Sequence, residues 1–172
     1  MASLIWLIFL LPFFSFLVIS LFFRPFLKDK PQVSGYITIL AIFCSLALSV
    51  WALIKLLGAP HHELLIPDIS WVVIEGGVTI HLGLILDPLT AVMLVVVTVV
   101  SLMVQVYSQG YMHGDPGYHR YFAFMSLFTG AMLGLVLADN LLLLFVFWEM
   151  VGLCSYLLIG FWFHRPAARN AA

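Results

Sequence analysis

The stretch LLLLFVFWEMVGLCSYLLIGFWF, residues 141–163, carries one acidic side chain, Glu149, and no basic one. Its length is that of a membrane crossing, because about 20 residues of α-helix span the roughly 30 Å of hydrocarbon in a bilayer. Asp139 and Asn140 stand directly before it and are typical of a helix start. Glu149 lies nine residues after Asn140, which corresponds to a depth of about 13 Å. The stretch therefore predicts a transmembrane helix with a carboxyl group near the middle of the bilayer.

Four earlier stretches have the same character, and the composition of the whole chain agrees with them. The chain is 64% hydrophobic and 9% charged, whereas soluble domains carry about 25% charged residues. Its net charge of −1 gives no indication of a nucleic-acid partner. We expect an all-α polytopic membrane protein, a single membrane domain over residues 1–172, with lipid as its solvent. The helices are predicted at about 4–23, 34–57, 88–107, 121–138 and 141–163, and the pair Asp87-Pro88 indicates the start of the third.

The first run, 4–23, has no basic residue before it and is longer than the apolar part of a signal peptide, so we interpret it as a retained helix. Between the second and third helices, residues 69–84 contain two β-prone runs around the turn signal Glu75-Gly76-Gly77. This pattern predicts a β-hairpin. An isolated hairpin is marginal in water, so we expect it to pack on helix ends or on a neighbouring subunit.

The basic residues predict the orientation in the membrane. Six of the seven lie on one side of the predicted crossings, and the other side has Lys55 alone. Because basic loops stay in the cytoplasm, we expect an outer N-terminus, an outer hairpin and a cytoplasmic C-terminus in a bacterial plasma (inner) membrane, with an organelle as the alternative. The six are Arg24, Lys28, Lys30, Arg120, Arg165 and Arg169.

Glu149 is the candidate for chemistry, because an acidic residue at the bilayer centre costs on the order of 2.5–3.5 kcal/mol on insertion scales. Such residues normally face a bundle interior and serve ion or proton movement. The alternative is a structural, protonated carboxyl that is hydrogen-bonded to a neighbouring helix. No basic residue lies at matching depth in the five predicted helices. We therefore predict a proton-translocation role for Glu149 whose basic partner lies outside these helices.

Small residues on the last two helices predict close helix packing. Ser126, Gly130, Gly134 and Ala138 recur at every fourth position, and Gly152 lies near Glu149. These five are predicted to serve packing, not chemistry.

Other polar and aromatic residues give weaker signals. Gln105, Tyr107 and Tyr156 are candidates for a polar path, or equally for ordinary hydrogen bonding. The aromatic residues at 161–163 predict an interfacial belt. Every histidine falls outside the predicted spans, so haem ligation is not expected. No catalytic, cofactor or metal site is predicted.

Three stretches together resemble a known family: LDPLT at 86–90, YSQGYM at 107–112 with GDPGY at 114–118, and WEMVGLCSYLLIGFW at 148–162. They are similar to the N-terminal part of the antiporter-like L subunits of NADH-quinone oxidoreductase, respiratory complex I. The resemblance extends from about Ile69 to the end of the chain. Met150 departs from the family, which often has Gly there.

The resemblance implies a membrane-arm subunit that couples electron transfer from NADH to quinone with proton translocation. The glutamate of the family's Trp-Glu motif falls on Glu149, and its usual partner is a lysine on a later helix. NADH, FMN, iron–sulfur clusters and quinone would belong to other subunits, so this chain is expected to hold no cofactor. Its partners would be other membrane-arm subunits, the lipid bilayer and protons, with no nucleic acid.

The family is much longer than this chain, so we expect an N-terminal portion that does not pump protons alone. Two alternatives remain open at this stage. One is the large subunit of a multisubunit sodium/proton antiporter, which has the same helix core. The other is a structural membrane subunit without a transport role.

Overall fold

The computed structural model describes residues 2–23, 30–58, 64–65, 69–74 and 78–172. Five of its helices are long and apolar enough to cross a membrane. The predicted all-α membrane fold, with a small β-hairpin between the second and third long helices, is confirmed. The hairpin turn at 75–77 lies outside the described residues, as do Arg24, Lys28 and the acidic residues Glu63 and Asp68.

The helix ends differ from the predicted ones by up to four residues. The third helix runs on to Tyr111 and the fourth begins at Tyr118, because the polar segment between them is a short turn instead of a longer loop. The fifth ends at Ile159, capped by Gly160, although the apolar run continues to Phe163. The helices are α1 (Ala2–Val18, continued by a π-helical turn, Ile19–Phe23), α2 (Gln32–Leu57), α3 (Pro88–Tyr111), α4 (Tyr118–Leu137), α5 (Leu141–Ile159) and the short α6 (Pro166–Ala171).

Four short strands lie between α2 and α3: β1 (Leu64–Leu65), β2 (Ile69–Ile74), β3 (Val78–Leu82) and β4 (Ile85–Leu86). The antiparallel β2–β3 hairpin is nested inside the antiparallel β1–β4 pair. The hairpin is anchored on the turn between α4 and α5. Leu84 pairs with Ala138, and the Asn140 side chain donates a hydrogen bond to the His81 carbonyl at 3.0 Å. Because the strands are short, these helix-end contacts supply support that the hairpin lacks alone.

Helix α4 is the central element, since it contacts each of the other four long helices. The Ser126 hydroxyl contacts Ser15 of α1 and donates to the Pro12 carbonyl at 2.9 Å. A methyl group at Gly130 would lie 2.9 Å from the Phe13 ring, and one at Gly134 would lie 2.5 Å from Phe147 Cζ. The row of small residues from Ser126 to Gly134 turns gradually around α4, from the side that faces α1 towards the side that faces α5. It does so because a spacing of four residues exceeds one 3.6-residue turn. Ala138 does not extend the row, because α4 ends at Leu137.

Two helices begin with a side-chain cap at the same end of the bundle. Asp87 Oδ1 accepts from the Thr90 backbone N–H at 2.6 Å, and Asn140 Oδ1 accepts from the Leu143 backbone N–H at 2.8 Å. The Thr90 hydrogen bond lowers the pKa of Asp87 from its ordinary value of 3.8, since it favours the charged carboxylate. These caps fix the starts of α3 and α5, as the Asp-Pro and Asp-Asn pairs predict.

Candidate functional site

Glu149 lies in the middle of α5, nine residues after the Asn140 cap. The helix packs on its neighbours through a narrow stripe of Leu143, Phe147 and Cys154, and Glu149 is not part of it. Successive residues turn by about 100° around an α-helix, so Glu149 is about 200° from Phe147. Its side chain is therefore exposed on the opposite side of α5. Glu149 therefore does not face the interior of these five helices, although that is the usual place for such a residue.

Apolar side chains surround the carboxyl group. Glu149 and Trp148 line an open groove of about 830 Å³ on the outer face of α5, and every described lining residue belongs to that helix. The Glu149 side chain forms no hydrogen bond or ion pair with any residue that the structure describes. The other residues lining the groove are Leu141, Leu142, Leu144 and Phe145.

A second groove lies beside the first, and Trp148 lines both. Its volume is about 360 Å³, and Gly152 and Val151 lie along it with Met132 and Leu135 of α4. A methyl group at Gly152 would meet no atom within 4 Å. Gly152 thus makes no close helix contact in the described chain, unlike Gly130 and Gly134.

The three residues considered for a polar path do not come together. Gln105 is fully buried in α3, whereas Tyr107 and Tyr156 are mostly exposed. Neither amide atom of Gln105 has a hydrogen-bond partner among the described residues. These three positions form no shared path among the described residues, and Gln105 is a buried amide without a hydrogen-bond partner there.

Sequence reasoning missed a cluster at the end of the bundle opposite the hairpin. Asp115 accepts hydrogen bonds from the Gly117 backbone N–H at 2.6 Å and from Trp162 Nε1 at 3.0 Å. Arg120 donates to the Phe161 carbonyl at 2.9 Å, and its guanidinium lies 4.6 Å from the centre of the Phe161 ring. Phe161 is buried here and does not belong to the predicted interfacial belt. The Gly-Asp-Pro-Gly turn was the available signal, since such a turn holds an Asp where its carboxylate caps backbone N–H groups.

His119 also departs from its expected place. It lies in the first turn of α4 instead of in a loop, and its Nδ1 is 2.6 Å from the Ser34 hydroxyl of α2. This buried contact ties α2 to α4.

Two family models match the chain. Residues 71–122 match the N-terminus of chain 5 of NADH-ubiquinone oxidoreductase (complex I), and residues 138–172 match the transmembrane family of NADH:quinone oxidoreductases and Mrp antiporters. The second match contains Glu149 and all the lining residues of the first groove, whereas Met132 and Leu135 of the second groove lie before it.

Curated relatives carry the same kind of name. The chain is 45% identical to NAD(P)H-quinone oxidoreductase subunit 5, chloroplastic, of Marchantia polymorpha, over 97% of this chain and 24% of the relative. It is 56% identical over 61% of its length to the protein of that name from Mesostigma viride, of which it covers 17%. The chain thus spans about a quarter or less of the curated relatives that it matches.

Solved structures agree at the level of the fold. The Mrp complex from Dietzia sp. DQ12-45-1b matches with a TM-score of 0.68 and 29% identity, over 90% of this chain and 16% of that chain. An archaeal membrane-bound sulfane sulfur reductase matches with a TM-score of 0.66 and 16% identity, over 88% of this chain and 29% of that chain, which shows the fold alone. From the two family models, the curated relatives and the shared helix arrangement, the chain belongs to the antiporter-like membrane subunits of complex I and Mrp antiporters.

Proposed function

We propose that this chain is the N-terminal helical core of a proton-translocating membrane-arm subunit of respiratory NADH:quinone oxidoreductase. The subunit would be of the chain 5 type, the counterpart of subunit L. The observation that carries the proposal is Glu149, a carboxyl group halfway along a membrane-spanning helix and facing an apolar groove.

The position of Glu149 requires a further protein surface that packs over the groove. A carboxyl group left facing lipid would keep the insertion cost of at least about 2.5 kcal/mol without compensation. A segment that brought a basic residue or a water chain into the 830 Å³ groove would remove the carboxyl from lipid and give its proton a route. The groove is therefore half of a proton site whose other half comes from outside the described helices. In the family that the sequence resembles, that other half includes a lysine on a later helix.

The chain itself has a non-redox role in this proposal. NADH, FMN, iron–sulfur clusters and quinone bind other subunits, and conformational or electrostatic coupling reaches Glu149 through membrane-arm partners. The relatives named as oxidoreductase subunits support this division of work. By itself, the chain is not expected to translocate protons, since a lone carboxyl group can bind a proton but has no relay partner. A proton flux that depended on Glu149, in liposomes containing this chain alone, would overturn that expectation.

The proposed orientation places the hairpin outside and the cluster around Arg120 in the cytoplasm of a bacterial cell. It is supported by the basic residues at that end, among them Lys30, Arg120, Arg165 and Arg169. The chloroplast names of the relatives make an organelle membrane the alternative location.

The decisive experiment replaces Glu149 by Gln in the complete subunit within its assembled complex. We expect normal assembly, because the Glu149 side chain forms no hydrogen bond or ion pair with a described residue. We also expect at least a tenfold loss of NADH-driven vesicle acidification, because Gln cannot carry the proton. Leu144→Met, in the same groove, is the matched control and should leave acidification unchanged. Unchanged acidification in Glu149→Gln would instead support a structural carboxyl.

A sodium/proton antiporter subunit is the second candidate, favoured by the 29% identity to the Mrp complex structure. The higher identity to the oxidoreductase relatives, 45% over 97% of the chain, favours complex I. Sodium-driven pH changes in vesicles without NADH would support the antiporter.

A further inference from the structure

A cavity of about 220 Å³ lies at the basic end of the bundle, between α4, α5 and α6. It is separate from the two grooves beside Glu149 and shares no lining residue with either. The volume is roughly seven times the ~30 Å³ that one water molecule occupies in the liquid. Its polar lining includes Arg120, Arg169 and Tyr156, and its apolar lining includes Phe124, Leu157 and Phe163.

The described side chains that line the cavity carry positive charge. Two arginines line it, and none of its described lining side chains is acidic. Asp115, the acidic residue of the same end, already accepts hydrogen bonds from Gly117 and Trp162. Arg120 forms no ion pair among the described residues, and its buried Nε has no hydrogen-bond partner there. Besides the buried Nε and the N–H group bonded to the Phe161 carbonyl, this guanidinium retains N–H donors that suit an anionic oxygen such as that of a phosphate.

The apolar lining indicates what carries the phosphate. The cavity lies at the level where α5 ends, and Trp162 and Phe163 follow within four residues of that end. Aromatic residues of this kind occupy the headgroup layer of a bilayer, and α5 continues from there into the hydrocarbon. A headgroup bound by the two arginines would direct its acyl chains along Phe124 and Leu157. Basic pockets between membrane helices on the cytoplasmic side bind anionic lipid headgroups by this arrangement of charge and apolar surface.

We propose that the cavity formed by Arg120, Arg169 and Tyr156 is a binding site for the phosphate headgroup of an anionic phospholipid. The site holds the junction of α4, α5 and α6 in the headgroup layer. It does not depend on the proton role of Glu149, because no residue of the two sites is shared.

The test measures lipid binding to the complete protein in detergent by native mass spectrometry. Phosphatidylglycerol and phosphatidylcholine with the same acyl chains are titrated in parallel. We expect tighter binding of phosphatidylglycerol, and about a fivefold weakening in Arg169→Gln, since one basic residue near a membrane surface contributes about that factor. Tighter binding of phosphatidylcholine, or equal binding of both lipids, would overturn the proposal.

Arg165→Gln is the matched control. It removes the same charge from the same short segment, but Arg165 lies over the Trp162 ring, with 5.0 Å from its Cζ to the ring centre, and does not line the cavity. We expect less than a twofold change. An effect equal to that of Arg169→Gln would show a general surface charge and refute the site.

Two further arms complete the test. Arg120→Gln combined with Arg169→Gln should weaken binding about 25-fold, from two such factors. If the double variant fails to fold, Arg169→Gln alone decides the matter, because Arg169 is exposed on the short helix α6. Inorganic phosphate at millimolar concentration should not displace the lipid. Full displacement would identify a free anion as the ligand and overturn the lipid assignment.

Discussion

Helices α4 and α5 are neighbours of similar length, but they are integrated into the bundle to very different extents. Half of the most apolar window of α4 is buried, against 17% of that of α5. Small residues let α4 contact the four other long helices, whereas large apolar residues occupy most of the surface of α5. Helix α4 has no side-chain cap at its start, and α5 has the Asn140 cap.

The difference shows where the molecule is complete and where it needs a further surface. Packing within the described chain accounts for α4 without any partner. On α5 it accounts for the stripe through Phe147 and leaves Glu149, Trp148 and Gly152 on the other side uncovered. A helix with a mid-membrane carboxyl on its uncovered side is the part of the fold through which a larger assembly would act.

The strongest test of this comparison uses two phenylalanines of α5. Phe147 is 8% exposed and packs on Gly134 and on Phe9 with ring centres 5.8 Å apart, whereas Phe145 is 56% exposed. Phe147→Ala should lower the free energy of unfolding in bicelles by about 3 kcal/mol, the low end for buried Phe→Ala because lipid also solvates the ring. Phe145→Ala should change it by less than about 0.5 kcal/mol. Equal losses would mean that α5 is buried on both sides.

Two glycines provide a second and smaller contrast. Gly134→Ala places a methyl group 2.5 Å from Phe147 Cζ and should cost about 2 kcal/mol, a typical cost of overpacking. Gly152→Ala meets no atom within 4 Å and should be neutral, or stabilising by up to about 1 kcal/mol through helix propensity. Thermal unfolding of the two variants in the same detergent measures the difference. A large loss in Gly152→Ala would reveal a partner helix on that face.

The helix caps should give the smallest effects. Asn140→Ala and Asp87→Ala should each cost about 1 kcal/mol of unfolding free energy. Only the Asp87 contribution should depend on pH, because its pKa is lowered in the folded state. That contribution is present above the ordinary value of 3.8 and disappears as the pH falls through the lowered value. When denaturation is measured from pH 6 down to acid conditions, the unfolding free energy of Asp87→Ala should therefore approach that of the parent protein. The unfolding free energy of Asn140→Ala should stay below that of the parent throughout.

Much of this fold could be predicted from sequence, because hydrocarbon imposes simple demands. The number of crossings, the Asp87-Pro88 and Asp139-Asn140 helix starts and the hairpin pattern all follow from apolar length and local turn chemistry. The ends of helices were less accurate. Helix α4 begins at Tyr118 because the segment before it is a short turn, and α5 ends at Ile159, after which Phe161 and Trp162 contact Arg120 and Asp115. Apolar content alone does not show such contacts.

The sequence by itself determined that this protein lies in a membrane and that Glu149 stands at mid-depth, since burying a backbone in lipid requires complete helices of known length. Only the tertiary structure decided which side of α5 faces α4, and so whether Glu149 faces its own bundle or an open groove. The physical reason is that lipid is as apolar as a leucine side chain. Hydrophobicity therefore cannot distinguish an inward face from an outward one, and close packing of Gly134 against Phe147 makes the choice.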